Sequence, residues 1–329
     1  MRIPKGISSS LKKSSLVRTC YHYATGILSY ISPNLMVVST EGTMSARYCY
    51  SVFLRHLVNL HKNGMQKLPK KVAELGPGDS IGVGLCALLT GANEYYALDV
   101  IERTDLKRNL AVFEELIELF KMRADIPGEE EFPEVHPLLS DYSFPSHVLS
   151  DEVLSNSLSA DRVEKIRNIL GHTDKDHTDI TIKYLVPWMN YKGTFPTVDL
   201  IMSQAALEHV DDLELAYKTM SSILSPDGYM SHEIDFRSHG ITREWNGHWA
   251  KPEYLWKLIR GKKVYLINRE PLSAYINLTK EAGLNILDVQ RAAIKELSIK
   301  RESLKGEYAK LSEDDFQTRT CYIVSAKRA

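Results

Sequence analysis

The residues with the plainest chemical purpose run Val72-Ala73-Glu74-Leu75-Gly76-Pro77-Gly78-Asp79-Ser80-Ile81-Gly82. An acidic residue ends a short apolar run, and glycines follow with G-x-G-x-x-x-G spacing. Small and apolar residues from Ile81 to Leu89 then suit a packed helix. A second strand-like run, Tyr95 to Val100, carries Asp99 near its end. This is the strand, turn, helix and strand that bind a nucleotide in a doubly wound sheet. The glycines let the backbone turn sharply and approach a ligand closely. Asp99 is placed to accept hydrogen bonds from ribose hydroxyls, and Val100 follows it in the same site.

The spacing bears on which nucleotide is bound. Dinucleotide enzymes use G-x-G-x-x-G and seat a pyrophosphate on the helix N-terminus. Here the third glycine comes one position late, and Glu74 stands two residues before the first. Glu-Leu-Gly-x-Gly closely resembles motif I of the class I S-adenosylmethionine-dependent methyltransferases. In that family the acid helps organise the loop around the cofactor's amino-acid end, and no pyrophosphate turn is needed. The resemblance implies S-adenosyl-L-methionine as cofactor, held by Glu74, Gly76, Gly78, Asp99 and Val100. The plainer reading is a tight turn of the kind any α/β protein contains.

A second stretch, Ser203-Gln204-Ala205-Ala206-Leu207-Glu208-His209-Val210-Asp211-Asp212, follows an expected fourth strand. It resembles the loop that begins "leucine-glutamate-histidine-valine" in the small-molecule, type 11-like branch, the quinone-type enzymes included. By that resemblance Ser203 and Gln204 line the cofactor pocket and His209 faces the methyl group. A loop-orienting role for His209 stays open beside that of a base, and Glu208 reads as a loop-ordering residue.

Methyl transfer from a sulfonium is an in-line displacement, so much of the catalysis is positioning. A hydroxyl acceptor also needs a base. The expected fifth strand, Tyr229 to Phe236, alternates so that Glu233 and Asp235 share one face and His232, Ile234 and Phe236 the other. Ligands of open α/β sheets bind at the carboxyl ends of strands. Asp235 and His239 therefore join His209 as catalytic candidates, each with a structural hydrogen-bonding role equally open. After the third strand the chain departs from the family. Where many members place an acid for the adenine amino group, it reads Val186-Pro187-Trp188-Met189-Asn190. Trp188 could pack on the adenine and Asn190 could accept from it. Trp245-Asn246-Gly247-His248-Trp249 is either a small satellite core or a wall that stacks on a ring-shaped acceptor.

The elements that must hold these residues can be laid along the chain. Helices are expected over 43–62, from Thr104 as N-cap to Arg123, near Ala160 to Leu170, over Asp212 to Leu224, and over Leu272 to Ala282. The third strand is expected over Ile180 to Trp188, the fourth over Val198 to Ser203, and the last two over Asn285 to Val289 and Cys321 to Ala326. The whole reads as an α/β, Rossmann-like class I methyltransferase fold: a seven-stranded, mostly parallel sheet whose last strand returns antiparallel at the edge. Residues 1–66 form a basic segment with capping helices. Residues 67–329 form the methyltransferase domain, with insertions at 124–183 and 237–271 that cover the strand ends. His172 and His177 lie among aspartates in the first insertion, but a solvated loop fits them better, and no metal site is expected.

The 329 residues carry a net charge of -1, which gives no general pull toward nucleic acid. Four scattered cysteines suggest neither zinc nor disulfides, and a cytoplasmic setting follows. No acid occurs before Glu41, while Arg2, Lys5, Lys12, Lys13 and Arg18 are basic. That end is either a tail leading into a helix, a transit-type segment, or a contact with an anionic membrane surface. The expected activity is methylation of a small-molecule acceptor, most plausibly a hydroxyl of a sugar or quinone-like compound. The rivals are an NAD(P)-dependent oxidoreductase and a non-catalytic nucleotide-binding protein of the same fold. Oligomeric state is not legible.

Overall fold

The computed structural model describes residues 15–32, 41–103, 105–171, 179–191, 193–294 and 296–327. Seven strands form one sheet: β1 (Lys71–Leu75), β2 (Glu94–Leu98), β3 (Thr181–Leu185), β4 (Val198–Gln204), β5 (Leu224–Asp235), β6 (Asn285–Ala293) and β7 (Thr318–Ala326). Their order is β3-β2-β1-β4-β5-β7-β6. Strands β1 to β5 pair in parallel, and β7 runs antiparallel to both its neighbours. This corrects one expectation, because the antiparallel last strand lies between β5 and β6 and β6 is the edge. Its burial explains the placement: β7 is almost wholly buried, whereas β6 alternates with exposed positions, as an edge strand does.

Alternate residues of the central strands feed two cores. Val72, Leu200 and Tyr322 face α2 (Ala46–Lys62), α3 (Gly82–Leu89) and α4 (Leu106–Met122). Ala73, Ile201 and Met230 face α7 (Leu213–Ile223) and α9 (Leu272–Glu281). Helix α2 matches its apolar spacing, with Cys49, Phe53, Leu57 and Leu60 buried. Ser45 caps it through the Tyr48 amide. Helix α4 is capped by Asp105, whose side chain accepts from Arg108 N. The expected cap, Thr104, lies outside the described residues.

Several boundaries differ from expectation. Strand β3 stops at Leu185, so Trp188 lies in the short helical turn Trp188–Asn190 beyond it. Strand β5 begins at Leu224, with a register irregularity against β4 where a plain turn was expected at 225–228. The insertion at 124–183 carries an unforeseen helix, α5 (Asp151–Ser157), besides α6 (Ala160–Gly171). Its signals were present: Ser150 caps it, and Asp151 and Glu152 fill the first turn.

The front of that insertion is fastened to α2 by polar groups. Arg55 is fully buried and donates to the carbonyls of Val135, Pro137 and Pro127. Ser51 Oγ donates to Pro127 O at 2.6 Å, and Tyr50 OH to Ala124 O at 2.7 Å. The second insertion packs differently. It contains α8 (Glu253–Arg260), and α1 (Ser15–Leu28) lies against that helix so closely that a Cβ on Gly26 would meet Leu258 O at 1.8 Å. Trp249 is wholly buried, and its Nε1 donates to Arg269 O at 2.8 Å. Arg269 in turn lies over the rings of Trp256 and Tyr308. The Trp245–Trp249 stretch is therefore satellite core, not an exposed acceptor wall. Residues 172–178, which include His172, Asp174, Asp176 and His177, lie outside the described residues. Among the described residues no helix is long and apolar enough to cross a membrane.

Candidate active site

The carboxyl ends of β2, β1, β4 and β5 stand side by side, with Leu75 in register with Leu98 and Ser203, and Gln204 with Glu233. At the end of β1 the chain turns through Gly76 and Gly78, with φ of 69° and 77°. Those values favour glycine. Gly76 N donates to Leu98 O at 2.9 Å, and a Cβ there would come 2.7 Å from Ala206 Cβ. The turn is thus pressed between β2 and the loop after β4.

Glu74 lies beneath this turn and is buried, its Oε2 accepting from Tyr95 OH at 2.6 Å. Burial raises its pKa to about 7, against the opposing effect of the Tyr95 bond. Its hydrogen bond ties the end of β1 to β2. Asp99 ends β2, also buried, with Oδ1 accepting from Val100 N at 2.6 Å and Tyr265 OH at 3.0 Å. Burial raises its pKa too, and those hydrogen bonds oppose the rise. Tyr265, from the second insertion, carries Arg103 over its ring at 4.5 Å. The second insertion therefore reaches Asp99.

Two expected pocket residues are engaged by other protein groups. Ser203 is completely buried and meets His232 Nδ1 at 2.8 Å. Gln204, on the opposite face, bonds His56 Nε2 at 3.0 Å, Glu233 Oε2 at 3.3 Å and His136 O at 3.2 Å. Strand alternation sends each into a hydrogen-bonded layer. Trp188 is likewise enclosed in the α7-side core, with only its amide, bonded to Asp99 O at 3.0 Å, tied to the site. Its ring offers no face to an adenine. The side chain of Asn190 lies outside the described residues.

The three catalytic candidates, by contrast, converge. The rings of His209 and His239 meet edge to face at 4.9 Å. His239 Nε2 stands 3.4 Å from Asp235 Oδ2 and 4.0 Å from Glu208 Oε1. Burial would raise the Asp235 pKa, but the Arg237 hydrogen bonds and then His239 outweigh it and hold the carboxyl below its usual range. Arg237 also reaches Glu134 at 2.7 Å. Glu208 moves the other way, pushed well up by burial and by the neighbouring Asp235 and Glu233. Burial, with His239 adding to it, drives His209 down to about 3. Ala205, His239 and Tyr265 all hold left-handed backbone, with φ of 49°, 47° and 66°. Such strain persists in non-glycine residues chiefly where surroundings enforce it, often at functional sites.

Sequence reasoning missed the residues that bind these parts together. Asn268 Nδ2 donates to Leu207 O and Val210 O, each at 3.0 Å, and Asn268 N to Glu208 O at 2.7 Å. It locks the Glu208–His209 turn to the cover. Neither it nor Tyr265 carries a motif; only the folded chain brings them here.

The strand order and the direction of β7 define the class I S-adenosylmethionine-dependent methyltransferase fold. No protein-family model matches the chain, and no curated protein matches it in sequence. Among solved structures, an S-adenosylmethionine-dependent methyltransferase from Mesorhizobium loti aligns with a TM-score of 0.41 and 14% identity, covering 83% of this chain and 97% of that one. Phosphoethanolamine N-methyltransferase 2 of Haemonchus contortus, in complex with S-adenosyl-L-methionine, aligns with a TM-score of 0.41 and 13% identity, over 89% of this chain and 61% of that one. Likenesses this distant do not assign an activity, which must be argued from the site.

Proposed function

We propose that this protein is an S-adenosylmethionine-dependent methyltransferase that methylates a hydroxyl of a small molecule, a sugar or quinone-like compound. One observation carries the reading. The Gly76–Gly78 turn, Asp99 and the Glu208–His209–Asp235–His239 cluster occupy adjoining strand ends on one rim of the sheet. Ligands of doubly wound sheets bind at such a rim. When bound, the cofactor supplies an electrophilic methyl group on a sulfonium.

The chain's own residues do the rest. Asp99 receives the ribose hydroxyls, while Tyr265 fixes its Oδ1. The glycine turn lets the backbone approach the amino-acid end, and Glu74 braces it. Gln204 holds His56 and Glu233 and so stiffens the floor. Asp235, held ionised by Arg237, orients His239 and is a poor base itself. His239, a third exposed, is the candidate best placed to take the acceptor's proton and pass it to water. Buried imidazole and carboxylate groups around one point suit a hydroxyl acceptor better than an apolar one. A nicotinamide reading has less support, since β5 is followed by an antiparallel pair and not by a second nucleotide-binding half.

Calorimetric titration with S-adenosylhomocysteine tests this. Binding by the intact chain, lost in Asp99→Ala, supports it, and transfer of labelled methyl to sugar, quinol and amine acceptors then resolves the acceptor class. An intact chain that fails to bind would overturn it. A peripheral membrane contact through the basic end stays a lesser proposal. It is supported by Ile27, Leu28, Tyr30 and Ile31, exposed at the end of α1. Equal flotation with anionic vesicles, with and without residues 1–40, would remove it.

A further inference from the structure

The ends of β4 and β5 crowd three buried carboxyl groups around one arginine. Glu208, Glu233 and Asp235 are all buried. Arg237 pairs with Asp235 and Glu134. Both oxygens of Glu208 are buried without a hydrogen bond, as is Nδ1 of His209. The amides of Glu208 and Asp235 lie near that carboxylate but outside hydrogen-bond geometry. An uncompensated buried carboxylate is among the costliest groups a protein can carry. One donor atom from each of Glu208, His209 and His239 lies within 4.8 Å of the other two.

We propose that Glu208, His209 and His239 bind a divalent transition-metal ion, although no metal site is expected from the sequence. Two imidazoles and one carboxylate suit the ions from manganese to zinc better than magnesium or calcium, which prefer oxygen donors. Bonds of about 2.0–2.2 Å place tetrahedral donors about 3.4 Å apart, so the three side chains draw in by roughly an ångström on binding. The exposed side of the His239 ring gives it room to move. Asp235 Oδ2 is 3.4 Å from the same ring nitrogen, but Arg237 engages both of its oxygens. A bound cation would favour the ionised form of the buried Glu208 carboxyl. Convergence of two ring nitrogens with a carboxylate on one point favours a metal over an organic cation. The Asn268 bonds described above already hold two of the ligands in place, as outer groups do at metal centres.

Three protein ligands leave coordination positions open, as at catalytic centres. Resting here on the methyltransferase reading, those positions take the acceptor hydroxyl and a neighbouring oxygen, as a vicinal diol or α-hydroxycarbonyl offers. Coordination eases loss of the hydroxyl proton to solvent. The O–CH3 bond then forms as the S–CH3 bond breaks, and the electron pair of the broken bond stays on sulfur. The metal thereby takes over the task assigned above to a base.

The test uses the full chain without a histidine tag, treated with chelator and titrated with Co(II). The readouts are visible d–d absorption and equilibrium dialysis, with Zn(II) as competitor. One ion per chain is expected, displaced by Zn(II), and weakened at least roughly tenfold in His239→Ala and in Glu208→Gln. Thermal melting of both variants confirms that they are folded, and His239, at the surface, is the safer change. Absence of stoichiometric binding, or unchanged binding in both folded variants, overturns the proposal. S-adenosylhomocysteine calorimetry on the same samples separates the two readings. Homocysteine-cofactor binding without cobalt binding overturns the metal site alone. Cobalt binding without it upholds the site and overturns the transfer reading.

Discussion

Glu74 is held in a site where its charged form is disfavoured, and that makes stability depend on pH in a defined direction. Its folded pKa is about 7, against 4.5 for the ordinary carboxyl. The folded state thus binds a proton that the unfolded state releases earlier. The stabilising effect is complete below pH 4.5, falls as pH rises, and is lost above about 7. The difference of about 2.5 units corresponds to roughly 3 kcal/mol, at about 1.4 kcal/mol per unit. Glu74→Gln keeps the shape and an oxygen for the Tyr95 hydroxyl, and cannot ionise. The variant should therefore exceed the natural chain by about 3 kcal/mol at pH 8 and by less than about 1 kcal/mol at pH 5. Thermal melting in parallel buffers reads this as a gap of several degrees that closes toward acid. A gap independent of pH, or a variant less stable at pH 8, would refute the argument that Glu74 lies desolvated beneath the turn.

Other perturbations probe neighbouring parts of the same construction. Gly84→Ala would place a Cβ 2.1 Å from the Tyr95 ring, so it should cost about 1–3 kcal/mol and erase the pH-dependent advantage of Glu74→Gln when the two are combined. Arg55→Met strands three backbone carbonyls, and a loss of about 3 kcal/mol with faster hydrogen exchange across 124–137 is expected. Unchanged exchange there would show that the segment is held by other contacts. Asn268→Ala should expose 262–270 to proteolysis while moving the melting point by only a few degrees, because it unties the cover and leaves the sheet whole.

Much of this protein could be read before any coordinates. Apolar runs of β1, β2 and β4, the spacing of α2, α4 and α7, and the glycine turn are local signals, and local physics decides them. Asp99 and Gly76 are functional candidates for the same reason, since a strand end and a left-handed turn are encoded within a few residues. What failed was whatever depends on which face a residue meets. Ser203 stands at the end of β4 and Trp188 in the turn after β3, yet pleat and packing turn both into the core. The position of β7 depends on pairing with β5, whose Ser231 is 91 residues from the Tyr322 it bonds, and no local pattern specifies that β6 is the edge. Arg55, Asn268 and Tyr265 carry no motif, because their partners are backbone groups and side chains distant in the chain. Glu208 shows the division most clearly. In the sequence it is one letter of a loop; only the closure of β4 against β5 and the second insertion buries its carboxylate beside two histidines. Local chemistry named the residues, and long-range packing decided their surroundings.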